Sequence, residues 1–147
     1  MVNPLLIVAL GLGTAFLLGF LNPRRRGLAW AITLAALAGM TAVSAQWLIG
    51  LAGGSAQAAD IWTAGTPPPF AINLRMGLPE AVLTLVIGLT GLLAAINLRH
   101  ALFSHGHRAM AVLLVLTMAL SGVVLTRDIF NLFVFLELVV IATGGLV

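Results

Sequence analysis

The sequence predicts an all-α integral membrane protein of about five transmembrane helices, with its N-terminus outside. Three observations lead there. Of 147 residues, 61% are hydrophobic and only 7% are charged, where a soluble domain carries about 25%. Seven basic and four acidic side chains cannot coat a globule of this size in water. Five runs reach or approach the roughly 20 apolar residues that a helix needs to cross a hydrocarbon core about 30 Å thick. None of these runs alternates as a barrel strand would, and backbone groups in lipid must pair within their own segment.

The runs follow in order. The first, 4–21, is uncharged, with Pro4 in the first turn where a missing N–H does no harm. The second, 27–52, carries only neutral polar residues: Thr33, Thr41, Ser44 and Gln46. The third, fourth and fifth are 81–98, 109–126 and 129–147, and only the last holds a charge, Glu137. Together they form a single helical module, 1–147. The motif Arg24-Arg25-Arg26, an apolar run and Ala56-Gln57-Ala58 imitates a signal peptide. Its apolar run is about twice the length of a signal h-region, and a span already precedes it.

Arginine distribution sets the orientation. Arg24, Arg25 and Arg26 follow the first run, and Arg99 and Arg108 lie between the third and fourth with His100, His105 and His107. The other two loops hold one arginine each, Arg75 and Arg127. The richer set belongs in the cytoplasm. The external loop 53–78 contains Pro67-Pro68-Pro69, and Phe70 to Arg75 alternates apolar and polar, a short extended segment on the outer surface. The net charge of +3 does not mark a nucleic-acid partner, since the arginines are spread and edge apolar runs. With no cysteine there is neither a disulfide nor a thiolate ligand.

No phosphate-cradling loop, nucleotide fingerprint or internal repeat is found, so no cofactor is expected. Nor is a metal site, because arginines flank the histidine loop and no carboxylate is near it. Gly11, Gly13, Gly19, Gly88 and Gly91 fit close helix packing.

The residue that points to chemistry is Glu137. It stands nine residues after Asp128, which caps the outer end of the fifth run. That is about 13.5 Å of helix, close to the membrane midplane. A central acidic residue costs about 2.5–3.5 kcal/mol to insert, so it belongs in a bundle interior or on a water path. A carboxyl there responds to an approaching cation by exchanging its proton, the chemistry of proton transfer. Its own helical face carries Phe130, Phe133, Val134, Val140, Ile141 and Gly144, none of them a partner. Neutral partners on other helices are Thr117 and Ser121, a candidate polar path on one face of the fourth, and Thr84 and Thr90 on the third. Glu80, at a helix start, complements the helix dipole. Taken alone, Arg127-Asp128 reads as a surface anchor, although the family resemblance described next argues for more.

The stretch Leu125-Thr126-Arg127-Asp128-Ile129-Phe130-Asn131-Leu132-Phe133-Val134-Phe135-Leu136-Glu137 resembles the fifth-helix signature of the D-type subunit of multisubunit, Mrp-type cation/proton antiporters. That family is shared with the antiporter-like subunits of complex I and of membrane-bound hydrogenases. Its form is approximately T-G-D-L-F-N-L-[FY]-V-F-F-E. Pro69-Phe70-Ala71-Ile72-Asn73-Leu74 resembles the family's P-F-G-I-x-L. The resemblance covers the N-terminal third of such a protein. It implies that Glu137 is the proton-translocating glutamate, paired in the family with a lysine on a later, broken helix. It also implies weaker site roles for Asp128 and Asn131.

Departures are Arg127 for the usual glycine, Gly77 where aspartate is common, and Thr143-Gly144 for Ser-Tyr. Family members have about fourteen helices, and this sequence stops ten residues beyond Glu137. The resemblance therefore implies either a split subunit completed by a second chain or a fragment.

Three functions follow as expectations. The first is a subunit of a Na⁺ (or other cation)/H⁺ antiporter, not itself an enzyme. The second is a proton-translocating subunit of a redox-driven complex whose redox chemistry lies elsewhere. The third is a non-transporting structural subunit with an inert Glu137. The implied partners are other membrane subunits, one supplying the later helices and the lysine, with H⁺, Na⁺ and the lipid bilayer. The expected location is the prokaryotic inner or plasma membrane.

Overall fold

The computed structural model describes residues 1–22, 24–62 and 72–146. Six helices and one hairpin are found among them: α1 (Leu5–Leu18), α2 (Arg26–Ala52), β1 (Ala59–Trp62), β2 (Asn73–Met76), α3 (Leu78–Asn97), α4 (Arg99–His105), α5 (His107–Leu125) and α6 (Ile129–Leu146). Four of the helices, α2, α3, α5 and α6, are long and apolar enough to cross a membrane, and α1 is a shorter apolar helix. The chain is a multi-pass, all-α membrane module.

α1 ends before the predicted boundary at residue 21. Its last turns tighten to i→i−3 bonds, with Gly19 N–H donating to Phe16 O, Phe20 to Leu17 and Leu21 to Leu18. The apolar run is thus continued in turns past Leu18. α2 is about 40 Å long, more than the hydrocarbon thickness, and must tilt or project. α3 starts three residues earlier than the run of 81–98, because Glu80 Oε2 accepts the Gly77 N–H at 2.9 Å and closes the first turn.

α1, α2, α3 and α5 pack into a four-helix bundle, and α6 joins it mainly through α5. Lipid is as apolar as leucine, so small residues and close approach hold such helices together. A Cβ at Gly88 would lie 2.6 Å from Thr41 Oγ1, and one at Gly91 would lie 2.8 Å from Thr117 Oγ1. These two glycines bring α3 against α2 and α5, while Gly11 does the same for α1 against Met118 of α5. Gly13 faces open space and Gly19 meets only its own helix, so neither makes an interhelical contact. Gly122, which no sequence pattern marks, seats the ring of Phe135 and fastens α6 to α5.

The buried hydroxyls of Thr33, Thr41, Ser44, Thr84, Thr117 and Ser121 each donate to the carbonyl four residues back on their own helix. That satisfies a polar group in a dry interior without a partner helix.

Two connections differ from expectation. The loop 53–78, expected outside, contains a hairpin, β1 antiparallel to β2, with Asp60 opposite Arg75. Of the extended segment expected at Phe70 to Arg75, β2 takes up the end, while Pro67 to Ala71 lie outside the described residues. Most of the connection from Arg99 to Arg108, read from the sequence as a loop, folds as α4, Arg99–His105. Leu102 is buried there, the Arg99 guanidinium lies 4.8 Å over the Trp30 ring, and Arg26 donates to Phe103 O at 2.8 Å. Those anchors order a turn that polarity alone would leave in water.

Candidate functional site

α6 carries the residues singled out from the sequence. Its N-terminus is built by a local network. Asp128 Oδ1 accepts the Phe130 N–H at 3.0 Å, and Asn131 Nδ2 donates to Thr126 Oγ1 at 3.2 Å. Asn131 is buried and Asp128 half-buried. Both act here as helix-start groups, satisfying backbone and hydroxyl that would otherwise be unpaired.

The chain enters α6 through an anchored junction. β2 lies across it, with Leu74 bridged to Thr126 and the Arg127 N–H donating to Asn73 O at 2.9 Å. The Arg127 side chain is ion-paired to Glu80 Oε1, whose other oxygen holds the start of α3. Glu80 is therefore more than a dipole-complementing carboxylate, and Arg127 more than a surface anchor. The signal was present in the sequence: with so few charges, an arginine and a glutamate at the same membrane face are candidates for each other.

From that junction α6 descends with two unlike faces. Asn131, Phe135 and Ala142 are buried against the bundle. Phe130, Phe133, Val134, Glu137, Val140, Ile141 and Gly144 all lie on the opposite, exposed side. Phe130 at 74% and Val140 at 68% exposure show how fully that face is turned outward. Glu137 stands in its middle, and among the described residues it has no hydrogen-bond or ion-pair partner. Thr117 lies against Gly91 in the α3–α5 contact, with Ser121 one turn on, both buried. Thr84 is buried and Thr90 exposed, each bonded to its own helix. The structure does not bring any of these four hydroxyls to Glu137.

A five-span module with this hairpin and this outward-turned fifth span can be set beside known proteins. No family model and no curated protein matches the chain. Two solved membrane complexes do match it in structure. A chain of the membrane-bound sulfane sulfur reductase, an archaeal respiratory membrane complex, superposes with a TM-score of 0.83 at 26% identity, over 95% of this chain. A chain of the Mrp complex from Dietzia sp. DQ12-45-1b gives a TM-score of 0.78 at 23% identity, again over 95%.

The fold is that of an Mrp-type, antiporter-like membrane module. The chain spans little more than a quarter of the length of either match, 28% and 27%. Both matched chains belong to complexes. Glu137 is the charged group on the exposed face of α6.

Proposed function

We propose that the chain is part of a proton-translocating, antiporter-like subunit in which Glu137 is the carboxyl that gains and loses the proton. One observation supports this above the rest: a carboxyl midway along α6, on an otherwise apolar face, to which none of Thr84, Thr90, Thr117 and Ser121 is hydrogen-bonded. Left in lipid it would cost about 2.5–3.5 kcal/mol. A cation on a partner helix at the same depth offsets that cost, and movement of the cation shifts the proton. The primary reading is exchange of Na⁺ or another cation for H⁺, in a prokaryotic plasma membrane and with the arginine-rich end inside.

The likeness to a respiratory complex at 26% identity favours a second reading, in which a redox reaction in other subunits drives the same carboxyl. Proton uptake dependent on a Na⁺ gradient supports the first, and uptake dependent on an electron donor the second.

The decisive measurement is proton flux in vesicles containing the whole assembly. Glu137→Gln keeps shape and hydrogen bonding but cannot titrate, so the assembly forms and flux is lost. Glu137→Asp, one methylene shorter, retains part of it, since proton transfer depends steeply on reach. If Glu137→Gln assembles and transports like the parent, Glu137 is a packing residue and a structural role is left.

A further inference from the structure

The four acidic side chains all lie away from one end of the bundle. Asp60 is in β1, Glu80 starts α3, Asp128 starts α6 and Glu137 is midway along it. The opposite end holds Arg24, Arg25, Arg26, Arg99 and Arg108 and no acidic residue. At the hairpin end, by contrast, Arg127 is paired with Glu80 and Arg75 stands opposite Asp60. The first turns of α2 and α5 open at the arginine-rich end without an acidic residue or a side-chain cap.

This charge borders a groove of about 350 Å³ between α4, α5 and the end of α6. Arg108 and His105 stand at its polar side, and Leu102, Leu113 and Leu146 at its apolar side. Val112 and Gly145 are shared with a second groove of about 440 Å³, which runs on between α1, α5 and α6 and is walled by Leu12, Phe16 and Leu138 among others. A basic mouth at the membrane surface thus leads into an apolar channel along the helices. From Arg108 to Val115 is about 10 Å of helix, so the channel runs well into the hydrocarbon layer.

We propose that this pair of grooves is a binding site for an anionic phospholipid, with the headgroup phosphate at Arg108 and one acyl chain passing Val112 and Gly145 into the α1–α5–α6 groove. A zwitterionic lipid fits the same shape but does not meet the arginine charge, for which the described residues supply no carboxylate at this end. The arginine-rich end therefore selects the anionic headgroup. The site borders the Glu137 face of α6, since Ile141, one turn from Glu137, also lines the second groove, but its headgroup end at Arg108 does not depend on the transport reading.

The test uses the full chain in nanodiscs of phosphatidylcholine containing a minor fraction of phosphatidylglycerol with a photoactivatable acyl chain. Adducts should map to α5 between Ala111 and Val115 and to α6 between Leu138 and Gly145. They should exceed those from the matching phosphatidylcholine probe. Arg108→Gln should lower the phosphatidylglycerol adducts about fivefold, the effect of one arginine at a membrane surface. Gly145→Phe, whose side chain would start 3.5 Å from Val112 Cγ1, should block the junction and abolish adducts beyond it. Arg24→Gln with Arg25→Gln, a larger charge change away from the groove, should leave adducts in place. Equal labelling by both probes overturns the proposal. So does labelling that Arg108→Gln leaves intact, or that falls only with the Arg24 and Arg25 changes. Exclusion of the probe by a partner's helix seated in the groove overturns it as well.

Discussion

The guanidinium of Arg127 is ion-paired with the carboxylate of Glu80, forty-seven residues earlier in the chain. The pair ties the start of α6 to the start of α3 at the hairpin end of the bundle. Since α6 otherwise rests mainly on α5, this contact limits how the helix can rotate, and with it the direction in which Glu137 points. Glu80 is only 6% exposed, while the Arg127 side chain is nearly half exposed.

Removing one partner is therefore asymmetric. Arg127→Ala leaves a buried carboxylate with only the Gly77 N–H and should cost about 1–2 kcal/mol, at the low side of a broken buried pair because water reaches the arginine. Combining it with Glu80→Gln should recover part of that loss. Thermal unfolding of the four proteins in detergent measures the coupling. A double variant no more stable than Arg127→Ala alone would show that the pair contributes nothing as a pair.

At the start of α6, Asp128→Ala removes the cap on Phe130 N–H and should destabilise by about 1 kcal/mol. Asp128→Asn keeps an acceptor oxygen in place and should be close to neutral. Asn131→Ala breaks the bond to Thr126 and should cost about 1 kcal/mol. All three should transport normally once the amount of assembled complex is corrected for. A lower flux per assembled complex in Asp128→Asn would instead give the Asp128 charge a role in transport.

The glycine contacts make a sharp contrast. Gly88→Leu and Gly91→Leu drive a side chain into Thr41 and Thr117 and should destabilise by about 1–3 kcal/mol or more. Gly13→Leu and Gly144→Leu meet open space and should leave unfolding of the isolated chain unchanged. Gly144 lies on the Glu137 face, so Gly144→Leu should weaken association with the partner subunits while leaving the chain itself folded. Co-purification of those subunits reads the difference.

Orientation is tested with single cysteines, since the chain has none of its own. Ser55→Cys and Ser104→Cys are both exposed, at opposite ends of the bundle. An impermeant thiol reagent should label Ser55→Cys on intact cells and Ser104→Cys only after permeabilisation. The reverse pattern would turn the arginine-rich end outward, against the charge rule.

The sequence by itself determined the spans, the absence of membrane strands and the apolar company of Glu137 on its helix. Each is a local property: the transfer free energy of a run of side chains, or the 3.6-residue period of one helix, does not depend on what lies elsewhere. Tertiary structure decided which face of each helix meets another. In a bilayer both faces are apolar, so the pattern that separates core from surface in a water-soluble helix is largely missing. Hence Thr117 and Ser121 read from sequence as partners for Glu137, although the α3–α5 contact buries them and their own helix satisfies them. Hence also Gly122 and Phe135, thirteen positions apart, revealed their contact only once α5 and α6 were packed. The short α4 depended on Trp30, Arg26 and Leu102 meeting at one surface, and the Arg127–Glu80 pair on two helix starts being brought side by side by the hairpin. Such contacts join residues far apart in sequence, and only the crossing of the helices fixes them.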